Sequence, residues 1–261
     1  MKIIMKKTFS LLTIILLFSM GACSKDDTTE NSVALNTSAN RQQTGSSAND
    51  LLSDKKFTSM VIEVVYVTGF EPSSTAINNF VNFLTARTYK PKGISIVKHA
   101  ISSPGNSPYT DQEIVNIENT NRTKYNNSDQ IVVWAFFADG KSSKDTQTSL
   151  ILGTAYRNTS FVIFEQTIHD LSDSPFEPNR SLLETTIITH EFGHILGLTN
   201  LGTPLQSNHE DTEHPKHCIE KTCLMYWLSE SNTGISDMLS AGTTLQLDAQ
   251  CIADLRANGG R

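Results

Sequence analysis

The order of apolar and amphipathic segments predicts an α/β (α+β) fold: one mixed, mostly parallel sheet with an antiparallel edge strand, and a long helix that carries the chemistry. Three observations lead there. Between residues 60 and 138 the pattern runs strand, helix, strand, helix, strand, and such an order requires crossovers between parallel strands. Two further β-rich runs follow, joined by the turn-like Arg157-Asn158-Thr159, and suit an antiparallel edge. Next comes a stretch with helical apolar spacing and histidines four residues apart, His190 and His194.

Each element has its own signal. Met60–Thr68 is rich in Val, Ile and Tyr and reads as a buried strand. Pro72–Arg87 places Ile77, Phe80, Val81 and Leu84 on one helical face. Gly93–Ile101 is a second strand. Thr110–Tyr125 is a second helix, with Ile114, Ile117 and Tyr125 in its stripe. Gln130–Ala138 is a strongly apolar third strand whose Trp134, Phe136 and Phe137 belong to the core. Leu150–Tyr156 and Ser160–Gln166 form the edge pair. Ser181-Leu182-Leu183-Glu184 has the spacing of a capping box and starts the motif helix, which Leu182, Leu183, Ile187, Ile188, Ile195 and Leu196 attach to the core. A long polar stretch reaches Lys216, and Leu245–Ala257 reads as a last helix.

The first residues stand apart from the fold. Lys2, Lys6 and Lys7 precede an apolar run from Phe9 to Met20 that is too short to span a bilayer comfortably. Gly21, Ala22 and Cys23 follow, so residues 1–22 read as a secretory signal. The signal resembles that of a bacterial lipoprotein, which implies acylation at Cys23 and a membrane partner through the N-terminal lipid. Cys23-Ser24-Lys25-Asp26-Asp27 resembles an export tag for the outer face of the outer membrane, so an outer-membrane, surface-exposed location is expected. Residues 23–54 are rich in Ser, Thr, Asn, Asp and Gln and read as a flexible tether. Residues 55–261 suffice for one domain. The formal charge of the 261 residues is -6, and removing the three signal lysines takes it to -9. The chain lacks the basic stripes that nucleic-acid binding requires.

The chemistry concentrates in His190-Glu191-Phe192-Gly193-His194-Ile195-Leu196-Gly197. Histidines four apart stack on one helix face and can reach one metal ion. Glu191 lies beside the first of them, placed to act as general base on the attacking water in a zinc hydrolase. Gly193 would cost a helix roughly 1 kcal/mol against alanine, which points to a close approach by substrate or backbone. Gly197 suits the left-handed turn that ends a helix.

Beyond the helix, His217-Cys218 and Cys223-Leu224-Met225 follow at a set distance. Together the two halves resemble the metzincin clan of zinc peptidases, and its archaemetzincin branch in particular. The resemblance implies a metzincin-like fold, with a small C-terminal subdomain whose Met-turn sets Met225 beneath a zinc ion, and cleavage of a protein or peptide substrate. It departs from the pattern between the halves. Asn200 stands where a third histidine belongs, and residues 201–216 are inserted. Counting back from Met225 nominates His217 as third ligand; Asn200 and His209 are alternatives, with His214 behind them. Zinc prefers imidazole to a neutral amide oxygen, which favours His217. The archaemetzincin pattern also implies a structural zinc held by four cysteines, one of which is Asp248 here. An exported protein meets an oxidising compartment, so a Cys218–Cys223 disulfide is the simpler expectation, with a Cys3Asp zinc as the alternative.

The expected activity is a zinc-dependent endopeptidase. Two other readings compete with it: a gluzincin-type peptidase whose third ligand is Glu213 or Glu220, and a surface binding lipoprotein that keeps the fold without hydrolysis. An intact Glu191 counts against the last, because a binding protein has no use for that base.

Overall fold

The computed structural model describes residues 37–172, 178–230 and 243–261. The signal peptide, Cys23 and the tether up to residue 36 lie outside them. A five-stranded sheet has the order β2-β1-β3-β5-β4, with β1 at Ser59–Val67, β2 at Ile94–Ile101, β3 at Gln130–Phe137, β4 at Gly153–Arg157 and β5 at Ser160–Ile163. β1 pairs in parallel with β2 and β3, and β3 in parallel with β5. β4 alone runs antiparallel, at the edge beside β5. The fold class therefore stands as expected.

The central strands are covered on both sides, which explains their continuous apolar character. Met60, Ile62 and Val64 of β1 face one core, and Val65 and Val67 the other. Helix α2 (Ser74–Arg87) and helix α5 (Arg180–Ile195) cover the first face. There Phe80 meets Phe192 edge-on at 5.2 Å and Phe161 at 6.1 Å. Helix α3 (Asp111–Asn121) covers the other with Ile114 and Ile117 against Trp134 and Phe136. Helix α4 (Glu165–Asp170) follows β5, and helix α6 (Ala249–Ala257) closes the described chain.

Four sequence expectations need correction. Residues 37–53 are not a tether. They form a 3-10 turn (Thr37–Asn40) and helix α1 (Ala48–Leu52), with Leu51 and Leu52 fully buried. Buried Asn40 donates to Val132 O at 3.0 Å and to Asn126 Oδ1 at 2.9 Å, and accepts from Asn126 N at 3.0 Å. The polar composition that suggests a solvated chain supplies hydrogen bonds to β3 and to the loop before it instead.

The last expected strand stops at Ile163, and Glu165 already starts α4. Helix α3 ends at Asn121 rather than Tyr125, because Arg122 turns inward. Its guanidinium binds Glu118 at 2.6 Å and Val132 O at 2.8 Å, in a buried network that a solvated helix end would not form. Ser181 and Glu184 do not form a capping box: Asn179 caps α5 by accepting from Leu182 N at 3.2 Å. Glu184 faces the core, where Ser73 donates its hydroxyl and, at 3.1 Å, its N–H. Burial and the adjacent Glu165 push the Glu184 carboxyl up to about 8, and burial pushes Glu165 up to about 7.

Candidate metal centre and cleft

Helix α5 brings His190 and His194 to its buried end, one turn apart, with their Nε2 atoms 3.1 Å apart. Two nitrogens bound to zinc at about 2.0–2.1 Å on a tetrahedron stand about 3.3 Å apart, so the spacing fits a shared tetrahedral ion. His190 Nδ1 meets Leu224 O at 2.7 Å, which fixes the ring and turns Nε2 to the centre. His217 completes the group: its ring centroid lies 5.5 Å from that of His190 and 5.1 Å from that of His194. One ligand atom from each of the three lies within 4.8 Å of the others. His217 Nδ1 sits 3.3 Å from His214 O, leaving Nε2 for the centre.

The helix ends where the spacing of Gly197 predicts. Gly197 N–H donates to His194 O at 3.0 Å, and Leu198 N–H to Gly193 O at 3.1 Å, the paired bonds of a Schellman stop. Gly197 has φ +73, and an added Cβ would lie 2.7 Å from Thr203 N. Thr199 and Asn200 are also left-handed, at φ 52 and 67. This run turns Asn200 out to solvent, where Nδ2 donates to Glu210 Oε2 at 2.9 Å. Glu210 Oε1 accepts from Lys216 N at 3.0 Å, and Thr199 donates its hydroxyl to Lys216 O. The inserted loop thus closes on itself and returns His217 to the helix end.

The other nominated residues are elsewhere. His209 is buried against α6, its Nε2 2.7 Å from Asp254 Oδ2 and its Nδ1 3.5 Å from Cys218 Sγ. Burial alone would lower its pKa, but Cys218 and Asp254 outweigh it and the net direction is up. Asp254 also accepts from Gln206 N at 2.7 Å, so His209 and Gln206 pin the insertion to α6. His214 stacks on Trp227 at 4.1 Å and contacts Asp211 at 2.9 Å. Glu213 and Glu220 are exposed and outside the histidine group.

Met225 is fully buried beneath the helix. Gly193 is expected to admit substrate or backbone; its neighbour is instead the Met225 side chain. A Cβ at position 193 would lie 3.1 Å from Met225 Cε and closer still to its sulfur. The same turn holds both sides of the centre, through Leu224 O on His190 and through Met225 O, which accepts from Cys218 N at 2.7 Å.

The expected Cys218–Cys223 disulfide is not formed: Cys218, Cys223 and Cys251 are free thiols. They gather with Asp248 in a second group whose ligand atoms lie within 4.8 Å of one another. Cys223 Sγ is 3.7 Å from Cys251 Sγ, and Cys218 Sγ is 3.5 Å from Asp248 Oδ2. Hydrogen bonds from Cys218 and Cys251 hold the Cys223 thiol well below its usual range, while Cys251 is pushed up. Three soft thiols and a carboxylate are a donor set that suits zinc.

A cleft of about 250 Å³ opens beside the histidines, lined by Glu191, His194 and His217 on one side and by Gly153–Ala155 on the other. Gly153 was not singled out by the sequence, although a lone glycine in a strand signals close approach. A Cβ there would lie 2.7 Å from Glu191 Cγ and 2.8 Å from its Oε1. β4 is therefore bare at the point where Glu191 faces it.

No protein-family profile matches the sequence, and no curated protein matches it. Among solved structures it is similar to archaemetzincin from Methanopyrus kandleri, with a TM-score of 0.51 and 15% identity over 77% of this chain and 96% of that one. A looser likeness is to metalloproteinase-II from Bacteroides fragilis, with a TM-score of 0.41 and 12% identity over 79% of this chain and 56% of that one. At 15% identity the first likeness speaks for the fold alone, which is archaemetzincin-like, and the second adds nothing to it.

Proposed function

We propose that this chain is a zinc-dependent endopeptidase with His190, His194 and His217 as metal ligands, Glu191 as general base, and the Met225 turn supporting the centre. The observation that carries the reading is the convergence of three imidazoles from two distant segments beside Glu191, at the wall of a cleft along an edge strand. Zinc, when bound, polarises the scissile carbonyl, lowers the pKa of the attacking water and offsets the oxyanion charge. His190 and His194 hold it from one helix face, and Leu224 O keeps His190 in the ligating tautomer. Glu191 takes the proton of the attacking water and passes it toward the leaving amine. The edge strand offers the substrate its main chain. Leu152 O points to β5, where it accepts from Phe164 N at 3.0 Å, so the pleat turns the peptide groups of Gly153 and Ala155 outward. An extended peptide can pair with the outward groups at Gly153, where the carbonyl otherwise accepts from the hydroxyl of the adjacent Thr154.

The thiol cluster with Asp248 is proposed as a second, structural zinc site. It ties the turn before Met225 to α6. The signal-like N-terminus supports acylation at Cys23 and an outer-membrane location facing the cell exterior. The test is direct. Purified residues 24–261 should bind zinc and cut casein or gelatin, and Glu191→Gln should keep the metal while losing hydrolysis by several orders of magnitude. Near-normal cleavage by that variant would remove Glu191 from the mechanism.

A further inference from the structure

We infer that residues 40–45 are a wall of the cleft, and that Thr44 limits how far a peptide can extend on one side of the scissile bond. The inference rests on the peptidase reading above. Thr44 lines the same cleft as Glu191, His194 and His217. Its hydroxyl donates to Ala155 O at 3.3 Å, and so takes an outward acceptor on β4 that an extended substrate would otherwise use. Gly153, opposite Glu191 and two residues earlier on the strand, has no side chain, and its carbonyl accepts from the hydroxyl of its own neighbour Thr154 at 2.6 Å. A peptide lying along β4 therefore meets at Gly153 only the strand's own small hydroxyl, and at Ala155 a separate segment of chain, Thr44.

The wall is built to stay. Asn40 is anchored in the core by its bonds to Val132 and Asn126. Gln42 N donates to Asn158 Oδ1 at 2.9 Å, and Asn158 N donates to Gln42 O at 3.0 Å. Gly45 packs so tightly that a Cβ would collide with Leu201 O and lie 3.2 Å from Gly197 Cα. Across the contact, a Cβ on Gly202 would lie 2.6 Å from Gly45 O. The segment is thus clamped between the β4–β5 turn and the loop that leaves the active-site helix. Both flanks of Thr44 are fixed, and a substrate cannot displace it without breaking several bonds.

Two readouts test this, one of them independent of turnover. For a casein peptide that the wild type cuts at one bond, nested versions are lengthened residue by residue on one side and then on the other. Lengthening on the walled side should lower kcat/KM by about tenfold, and lengthening on the other side should not. Thr44→Gly should recover most of the loss for long peptides and leave short ones within about twofold, whereas Thr44→Val, which keeps the bulk, should recover nothing. In parallel, calorimetry on the zinc-loaded protein measures peptidyl hydroxamates and succinyl hydroxamates, which extend from the metal in opposite directions. Only one series should lose affinity as it lengthens, and Thr44→Gly should restore it. Equal tolerance of length in both directions would overturn the wall while leaving the peptidase reading intact. A Thr44→Gly effect of the same size on short and long ligands would also overturn it. Zinc-loaded protein that neither cuts casein nor binds either hydroxamate series would overturn the peptidase reading and this inference with it.

Discussion

Gly193→Ala is a small change whose cost follows from the position of Met225. On an exposed helix the substitution would stabilise by about 1 kcal/mol. Here the new methyl would lie 3.1 Å from Met225 Cε and nearer to its sulfur, against a comfortable carbon contact of about 3.5–4.0 Å. Met225 is fully buried and cannot swing into solvent, so the turn that carries it must shift. Overpacking of this kind costs about 1–3 kcal/mol, leaving a net loss of about 0–2 kcal/mol. The functional effect should be larger. The displaced turn carries Leu224 O, which orients His190, and Met225 O, which holds Cys218 next to His217. Loss of such orienting contacts weakens metal binding by about 10–100-fold.

Met225→Ala alone leaves a cavity and should cost about 2–5 kcal/mol. The added methyl fills part of that cavity, so the double variant should be more stable than the sum of the singles by about 1–3 kcal/mol. Urea denaturation of the four proteins measures the stability cycle, and competition with a zinc chelator measures affinity. Additivity within about 0.5 kcal/mol, with unchanged zinc affinity in Gly193→Ala, would refute the claim that Met225 is what requires a glycine there.

Three further outcomes are expected. His217→Ala should bind zinc far more weakly, and Asn200→Ala only slightly so because its side chain bonds Glu210; zinc titration showing the reverse order would return the assignment to the helix side. Glu165 and Glu184 are both raised above the ordinary 4.5, so the folded chain keeps protons that the unfolded chain releases. Stability from this pair is complete below about pH 4.5 and is lost as pH rises through about 7 and 8; Glu165→Gln should flatten that fall, and an unchanged slope in urea midpoints would disprove the coupling. Cys23→Ser should leave the protein unacylated and in the soluble fraction, and membrane fractionation with the variant still anchored would refute lipid attachment there.

The local period of the chain was enough for most of the architecture. Apolar runs located β1 and β3, alternation located β2, amphipathic spacing located α2 and the helix of the histidine motif, and the turn at 157–159 located the antiparallel edge. These signals lie within a few residues of one another, so a single sequence displays them. The pairing of His190 with His194, and Gly197 as the helix stop, are legible for the same reason: helix geometry fixes both. Tertiary structure decided what depends on distant partners. Left-handed backbone at Thr199 and Asn200 turned residue 200 away, and Glu210 closed the insertion, so that His217 reached the centre. Composition suggests a tether at 37–53 because its polar side chains find their partners some ninety to a hundred and twenty residues on, as with Asn40 and Val132 or Ser47 and Asn158. The three thiols could be counted in the chain, but only packing set Cys251 beside Cys223 and left them unbridged. Local spacing fixes which groups share a face; which faces meet is set by closing loops, and their closure depends on side chains far apart in the chain.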